Sequence, residues 1–197
     1  MRGVPSADSL ILAKTTGKDQ FEDICYLAYI KAPRIGNLTR TEEPFAYEAR
    51  ELIRDKIIGR KVDFTVEYMA GSKRHVSVRL DGEPATINDE PTDLASQLVL
   101  NSLARVNEKR GTNPLPPLHE QLLEIENKLK GNLKGVFCTQ EKQKEKHTRE
   151  VIYFGEAAYQ PSKLLEQAQK EPRPFGAVLE HVFSTSFVVL YVKSLNT

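Results

Sequence analysis

The stretch EEPFAYEARELIRDKIIGRKVDFTVEY, residues 42–68, constrains the fold more than any other part of the chain. Phe45, Ala49, Leu52, Ile53 and Ile57 recur at helical spacing and form one apolar stripe. Glu48, Arg50, Glu51, Arg54 and Asp55 fall on the opposite side. Thr41 is expected to cap this helix, and Pro44 suits its first turn, where a missing N–H has no partner to lose. Gly59 suits the left-handed turn that ends a helix. Val62, Phe64 and Val66 then alternate with Asp63, Thr65 and Glu67, the period of a half-buried strand. A helix docked on a sheet follows from this one run.

The flanking segments extend the sheet. DSLILAK (8–14) and EDICYLAYIKA (22–32) read as two strands across a polar turn at Gly17. KRHVSVRL (73–80) pairs with 62–68 across Gly71, and DGEPATI (81–87) supplies a turn and a short fifth strand. A second helix is predicted over 92–106, with Leu94, Leu98, Val99, Leu103 and Val106 on one face. GTNPLPP (111–117) is a rigid loop. A third helix over 118–130 carries Leu118, Leu122, Ile125 and Leu129 inward and stops near Gly131. Five strands with three helices make an α+β chain, and a small antiparallel barrel capped by helices suits that order.

After residue 138 the composition changes. TQEKQKEKHTRE (139–150) is a charge run, expected as a solvated linker or helix extension. PSKLLEQAQKE (161–171) reads as a short helix, and residues 175–192 read as two apolar strands joined through Ser184–Ser186. An isolated hairpin is marginal in water, so this one must bury its faces elsewhere.

Composition narrows function by exclusion. A net charge of +1 means that any nucleic-acid contact must come from a local patch. Cys25 and Cys138 lie far apart with no ligand spacing, as in a reduced intracellular protein. SLILA is too short for the core of a signal peptide, and no run approaches the roughly 20 apolar residues of a membrane span. His75, His119, His147 and His181 show no metal spacing, HEQLLEIE lacks the second histidine of a zinc protease, and no Walker pattern occurs.

Several of these segments carry a resemblance. The order DSLIL, YIKAPR, EEPFAYEARELIRDKIIGRKVDFTVEY, LASQLVLNSLARV and HEQLLEIENKLKGNLKGVF resembles a staphylococcal-nuclease-like (SN) domain, in wording the first SN repeat of the Tudor staphylococcal nuclease family. It covers residues 2–138. REVIYF and FGAVLEHVFSTSFVVLYV resemble the start of that family's second repeat. The resemblance implies an OB-fold of the staphylococcal nuclease type over residues 1–138, a charged linker at 139–150, and a second-repeat fragment at 151–197 of an N-terminal piece. It also implies a cytoplasmic protein, with the nucleus as a further compartment. RNA silencing, small-RNA decay and RNA processing are the expected setting, and silencing-complex or other ribonucleoprotein components the expected partners.

The resemblance also says what is missing. Active members hold calcium on aspartates, use a glutamate as general base, and steady the phosphate with two arginines, because hard oxygens suit calcium and a carboxylate activates water. Here Pro33 matches the family proline. Lys31 stands at the position of the calcium aspartate, Arg34 at that of the base, and Tyr26 at that of the strand arginine. Asp8 matches the first-strand aspartate, a residual single ligand. Arg74 aligns with the second arginine, within a slip of one residue. Lys31 repels calcium and Arg34 cannot serve as a base. The expectation is therefore no catalytic residue, metal or cofactor in this repeat.

What replaces the carboxylates suits phosphate binding. Lys31, Arg34 and Arg40 sit on one loop where OB-folds meet single strands, and Lys73 and Arg74 extend that patch from the neighbouring hairpin. Tyr26 or Tyr29 offers a base a stacking face. RNA, single- or double-stranded and without strong sequence preference, is the expected partner, with no membrane. Two alternatives stay open: a calcium-dependent ribonuclease rebuilt around Asp8, Glu42 and Glu43, and a protein–protein platform docking through the hairpin at 175–192.

Overall fold

A computed structural model of the chain describes residues 2–16, 19–36, 40–108, 114–147, 177–182 and 187–191. The turn at Gly17, the tip of the loop at 109–113, the predicted helix at 161–171 and the join at Ser184–Ser186 lie outside them. The chain divides into two compact units. The larger comprises Met1–Ile35 and Glu43–Thr148, the smaller Gly36–Glu42 and Arg149–Thr197.

The larger unit is α+β. Its main sheet holds β1 (Gly3–Ser6), β2 (Ser9–Thr16), β3 (Asp19–Leu27), β5 (Val62–Ala70) and β6 (Lys73–Leu80). They lie in the order β1-β2-β3-β6-β5, antiparallel except for a parallel join between β3 and β6. The join is parallel because the chain leaves β3, crosses by the helix α1 (Ala46–Ile57), and returns as a hairpin whose second arm docks. Among the described residues β1 and β5 are free edges, so the sheet is an open five-stranded one and not the closed barrel expected. Four α-helices are described rather than three: α1, α2 (Leu94–Leu100), α3 (Pro117–Leu129) and α4 (Glu141–Lys146).

The core lies between the sheet and α1 to α3. Leu10, Cys25, Leu27, Val76 and Val78 from the strands meet Ala49, Ile53, Ile57, Leu94, Leu98, Val99 and Leu122 from the helices. The α1 stripe is buried as its spacing predicts except for Leu52, which is partly buried, and Gly59 takes the left-handed turn after it (φ 71°). Thr41 does not cap the helix. Phe45 occupies the cap position in a left-handed conformation (φ 67°), with no side-chain cap. Arg50, expected outside, is only 6% exposed, paired with Glu51 and lying over the Tyr47 ring.

Other departures have local causes. The fifth strand is not 81–87 but β1, whose Gly3 and Pro5 hide it and suit a sheet edge. Thr86–Ile87 (β7) and Glu90–Pro91 (β8) form a separate small hairpin, tightened by positive φ at Asn88 and Asp89. β5 is covered only towards its ends: Val62 and Tyr68 pack against the core, whereas Phe64 is 49% and Val66 44% exposed on this edge strand. The strand expected over 22–32 breaks at Tyr29 (φ 61°) into β3 and the two-residue β4 (Ile30–Lys31). The second helix stops at Leu100, since Ser102 turns left-handed (φ 57°) and the chain runs on as β9 (Arg105–Val106). Asp93 caps that helix, accepting from the Ser96 N–H at 2.9 Å. Residues 141–146 of the charge run are helical, as α4 of the larger unit.

In the smaller unit, β10 (Ala177–Val182) and β11 (Phe187–Tyr191) pair antiparallel, with an irregularity between Leu179 and His181.

Candidate nucleic-acid interface

Lys31 lies directly opposite Arg105 in the two-residue antiparallel ladder of β4 and β9. Like charges facing across strands repel, so the pairing is imposed by its surroundings. The Asn107 N–H donates to the Tyr29 carbonyl at 2.7 Å, and its side chain to the Ile30 carbonyl at 3.2 Å. From α3, the buried Glu126 accepts the Val106 N–H at 2.8 Å and also binds Lys130 at 2.9 Å. These bonds hold β9 against β4 and leave both cations exposed.

The two cations open on a pocket of about 260 Å³, lined by Lys31, Ala32, Pro33, Glu43, Pro44, Phe45, Arg105, Val136 and Lys144. Arg105 is aimed by its surroundings. It donates to the Val136 carbonyl at 2.5 Å, and its guanidinium lies 5.3 Å from the centre of the Phe137 ring. Val136 is itself held by donating to the Ser102 carbonyl at 2.8 Å. Gly135 makes that approach feasible: a Cβ there meets the Ser102 carbonyl, and its φ is 53°. The opposite wall is pinned by a reciprocal pair. The Arg34 N–H donates to Glu43 Oε2 at 2.9 Å, and the Glu43 N–H donates to the Arg34 carbonyl at 3.0 Å. Phe45, strained at positive φ, closes the pocket on the α1 side, stacked on His147 with ring centres 4.2 Å apart. His147 Nδ1 lies 2.7 Å from Glu48 Oε1, which ties the end of the α4 segment to α1.

The predicted cations are sorted by this geometry. Lys31 belongs to the pocket. Arg34 is exposed beside it and contributes its backbone to the loop. Arg40 belongs to the smaller unit. Lys73 and Arg74 go opposite ways, as alternation along a strand requires. Lys73 Nζ lies 5.1 Å from the centre of the Tyr26 ring, whereas Arg74 forms an ion pair with Asp23. Arg105 and Lys144 were missed. Arg105 fell inside a predicted helix and Lys144 inside a charge run, and neither segment on its own points at Lys31.

The expected stacking residues also divide. Tyr29 is 9% exposed and lies between Tyr68 and His119, at ring distances of 5.2 and 4.7 Å, so it is core and has no open face. Tyr26 is half-buried and begins a string of rings through His75 (5.6 Å) and Tyr68 (4.4 Å from His75) to Tyr29. Burial holds the His75 imidazole below its usual pKa. A backbone bond at Leu27 and the Asp8 carboxylate oppose that, and Lys73 adds to it. Burial raises Tyr68, Tyr29 and the Cys25 thiol above their ordinary values, and Glu67 adds to the effect on Tyr29.

The carboxylates near this loop accept hydrogen bonds from their neighbours. Asp8 Oδ1 accepts from the Ser6 hydroxyl at 2.7 Å and Oδ2 from the Ala32 N–H at 3.3 Å. Glu43 is engaged with Arg34. No group of three or more His, Cys, Asp or Glu among the described residues is arranged to hold a metal ion. No helix among them is long and apolar enough to cross a membrane. No protein-family model matches the chain.

Proposed function

We propose that this chain is an RNA-binding and scaffolding module, built on an OB-like fold of the staphylococcal nuclease type in which the catalytic position has become a phosphate grip. One observation carries the reading: Lys31 and Arg105 face each other, both exposed, at the mouth of a pocket that Lys144 also lines. An anion between two like charges relieves their repulsion and gains charge-assisted bonds, and phosphate takes guanidinium donors well. The open five-stranded sheet, with its one parallel join, is compatible with the partly open barrel of OB-folds. Membership in the Tudor staphylococcal nuclease family, work in RNA silencing and processing, and ribonucleoprotein partners belong to this same proposal. They rest on the resemblance of residues 2–138.

A labelled-RNA titration of the chain across a salt series, with and without calcium, tests it. Binding should weaken steeply as salt rises, because each phosphate contact releases counterions, and the RNA should stay intact. Calcium-dependent cleavage that disappears in Asp8→Ala would replace the grip with a rebuilt nuclease. Failure to bind any RNA would favour a second reading, a protein-docking platform, for which the exposed Phe64, Val66 and Met69 on the β5 edge are the specific support.

A further inference from the structure

The pocket itself is more selective than a general phosphate track. Its walls come from β4, β9, the segment entering α1, the turn at Val136, and α4, so residues from five segments meet in one open depression. At about 260 Å³ it falls just below the range of roughly 300–1,000 Å³ typical of small-molecule sites. It therefore suits one end group and not a run of nucleotides. Its charge points the same way. Lys31 and Arg105, facing each other across the strands, set two cations side by side at its mouth. A phosphomonoester carries about −1.5 to −2 at neutral pH, whereas each phosphate inside a strand carries a single charge.

We propose that this pocket takes the terminal phosphomonoester of an RNA strand, which makes the module a reader of phosphorylated ends. The proposal rests on the RNA-binding reading above and narrows it. Arg105 spends one donor on the Val136 carbonyl and has four more in a planar fork for phosphate oxygens. Lys31 supplies a point charge from the opposite strand. The Glu43 carboxylate, fixed by the Arg34 N–H, retains lone pairs that accept from a sugar hydroxyl of the end nucleotide. Pro33, Pro44 and Phe45 give the pocket an apolar side, against which the sugar packs.

The test is a fluorescence-anisotropy titration of the full chain with one short single-stranded RNA prepared in three forms: 5′-phosphate, 3′-phosphate, and hydroxyl at both ends. One phosphorylated form should bind about tenfold more tightly than the hydroxyl form, the scale of one added charge-assisted contact. Which form it is identifies the end. Arg105→Gln and Lys31→Gln should each remove that difference, and Lys61→Gln, an exposed cation outside the pocket, should keep it. Inorganic phosphate should compete with the phosphorylated form alone. Equal binding of all three forms overturns end recognition while leaving RNA binding in place. No binding of any form removes both. Preservation of the preference in Arg105→Gln and Lys31→Gln moves the end site off this pocket and also overturns the proposal.

Discussion

Two strand-borne arginines meet opposite fates in this molecule. Arg74, on β6, forms a partly exposed ion pair with Asp23 of β3 and is spent on it. Arg105, on β9, faces Lys31 across a ladder that brings like charges together, and it lines a pocket. The two share a residue type. What separates them is the neighbour each side chain meets, a carboxylate for Arg74 and a second cation for Arg105, so availability for an anion is a property of surroundings and not of the residue. Lys73 and Arg74 repeat the lesson at a spacing of one residue, since alternation sends one to the Tyr26 ring and the other to a carboxylate.

The most disruptive way to break the comparison is Gly135→Ala. The added methyl meets the Ser102 carbonyl and the backbone is left-handed, so unfolding stability should fall by about 2–4 kcal/mol, measured by urea denaturation. The wall that orients Arg105 should be lost with it.

Arg105→Gln comes next. RNA affinity should fall about tenfold, and the salt slope should flatten by about one phosphate contact. Stability should hold or rise by about 0.2–1 kcal/mol as the repulsion with Lys31 is relieved. A stability loss with unchanged affinity would place Arg105 with Arg74, as a structural cation.

Smaller is the pH response beside Arg74. His75 is held below its ordinary pKa of 6.5, so the unfolded chain takes up its proton first as pH falls. Stability contributed by the neutral ring is thus fully present above 6.5 and declines below it, with a slope well under the one-proton limit of about 1.4 kcal/mol per pH unit. His75→Phe keeps a ring in the stack and should flatten this slope, as read from melting temperatures at pH 5 to 8.

The smallest effect belongs to Arg74→Gln. Its pair with Asp23 is partly exposed, so stability should change by about 0–1 kcal/mol. RNA affinity should change less than twofold. An affinity loss matching that of Arg105→Gln would show that the ion pair with Asp23 opens for RNA.

Much of the fold was legible because its signals are local. The α1 stripe, the hairpin of β5 and β6, and α3 follow from periods of 3.6 and 2 within a dozen residues. β1 was hidden by Gly3 and Pro5, and the early end of α2 by Ser102, whose left-handed turn no propensity anticipates. The site was half legible. Of the pocket's cations, Lys31 was marked in the sequence, where a carboxylate is missing from the resembled motif; Arg34 stands beside the pocket and Lys73 lies over the Tyr26 ring. The rest of the pocket was not, since Arg105 sat in a stretch whose apolar spacing continued a helix.

The sequence alone determined that a helix stripe and alternating strands would share one core, because periodicity dictates which side chains leave water together. Only the tertiary structure decided which cations meet. The bond from Asn107 to the Ile30 carbonyl spans 77 positions, and with the buried Glu126 it sets Arg105 beside Lys31. Long-range pairing of this kind answers to the combined burial of several elements, which no single stretch of sequence records.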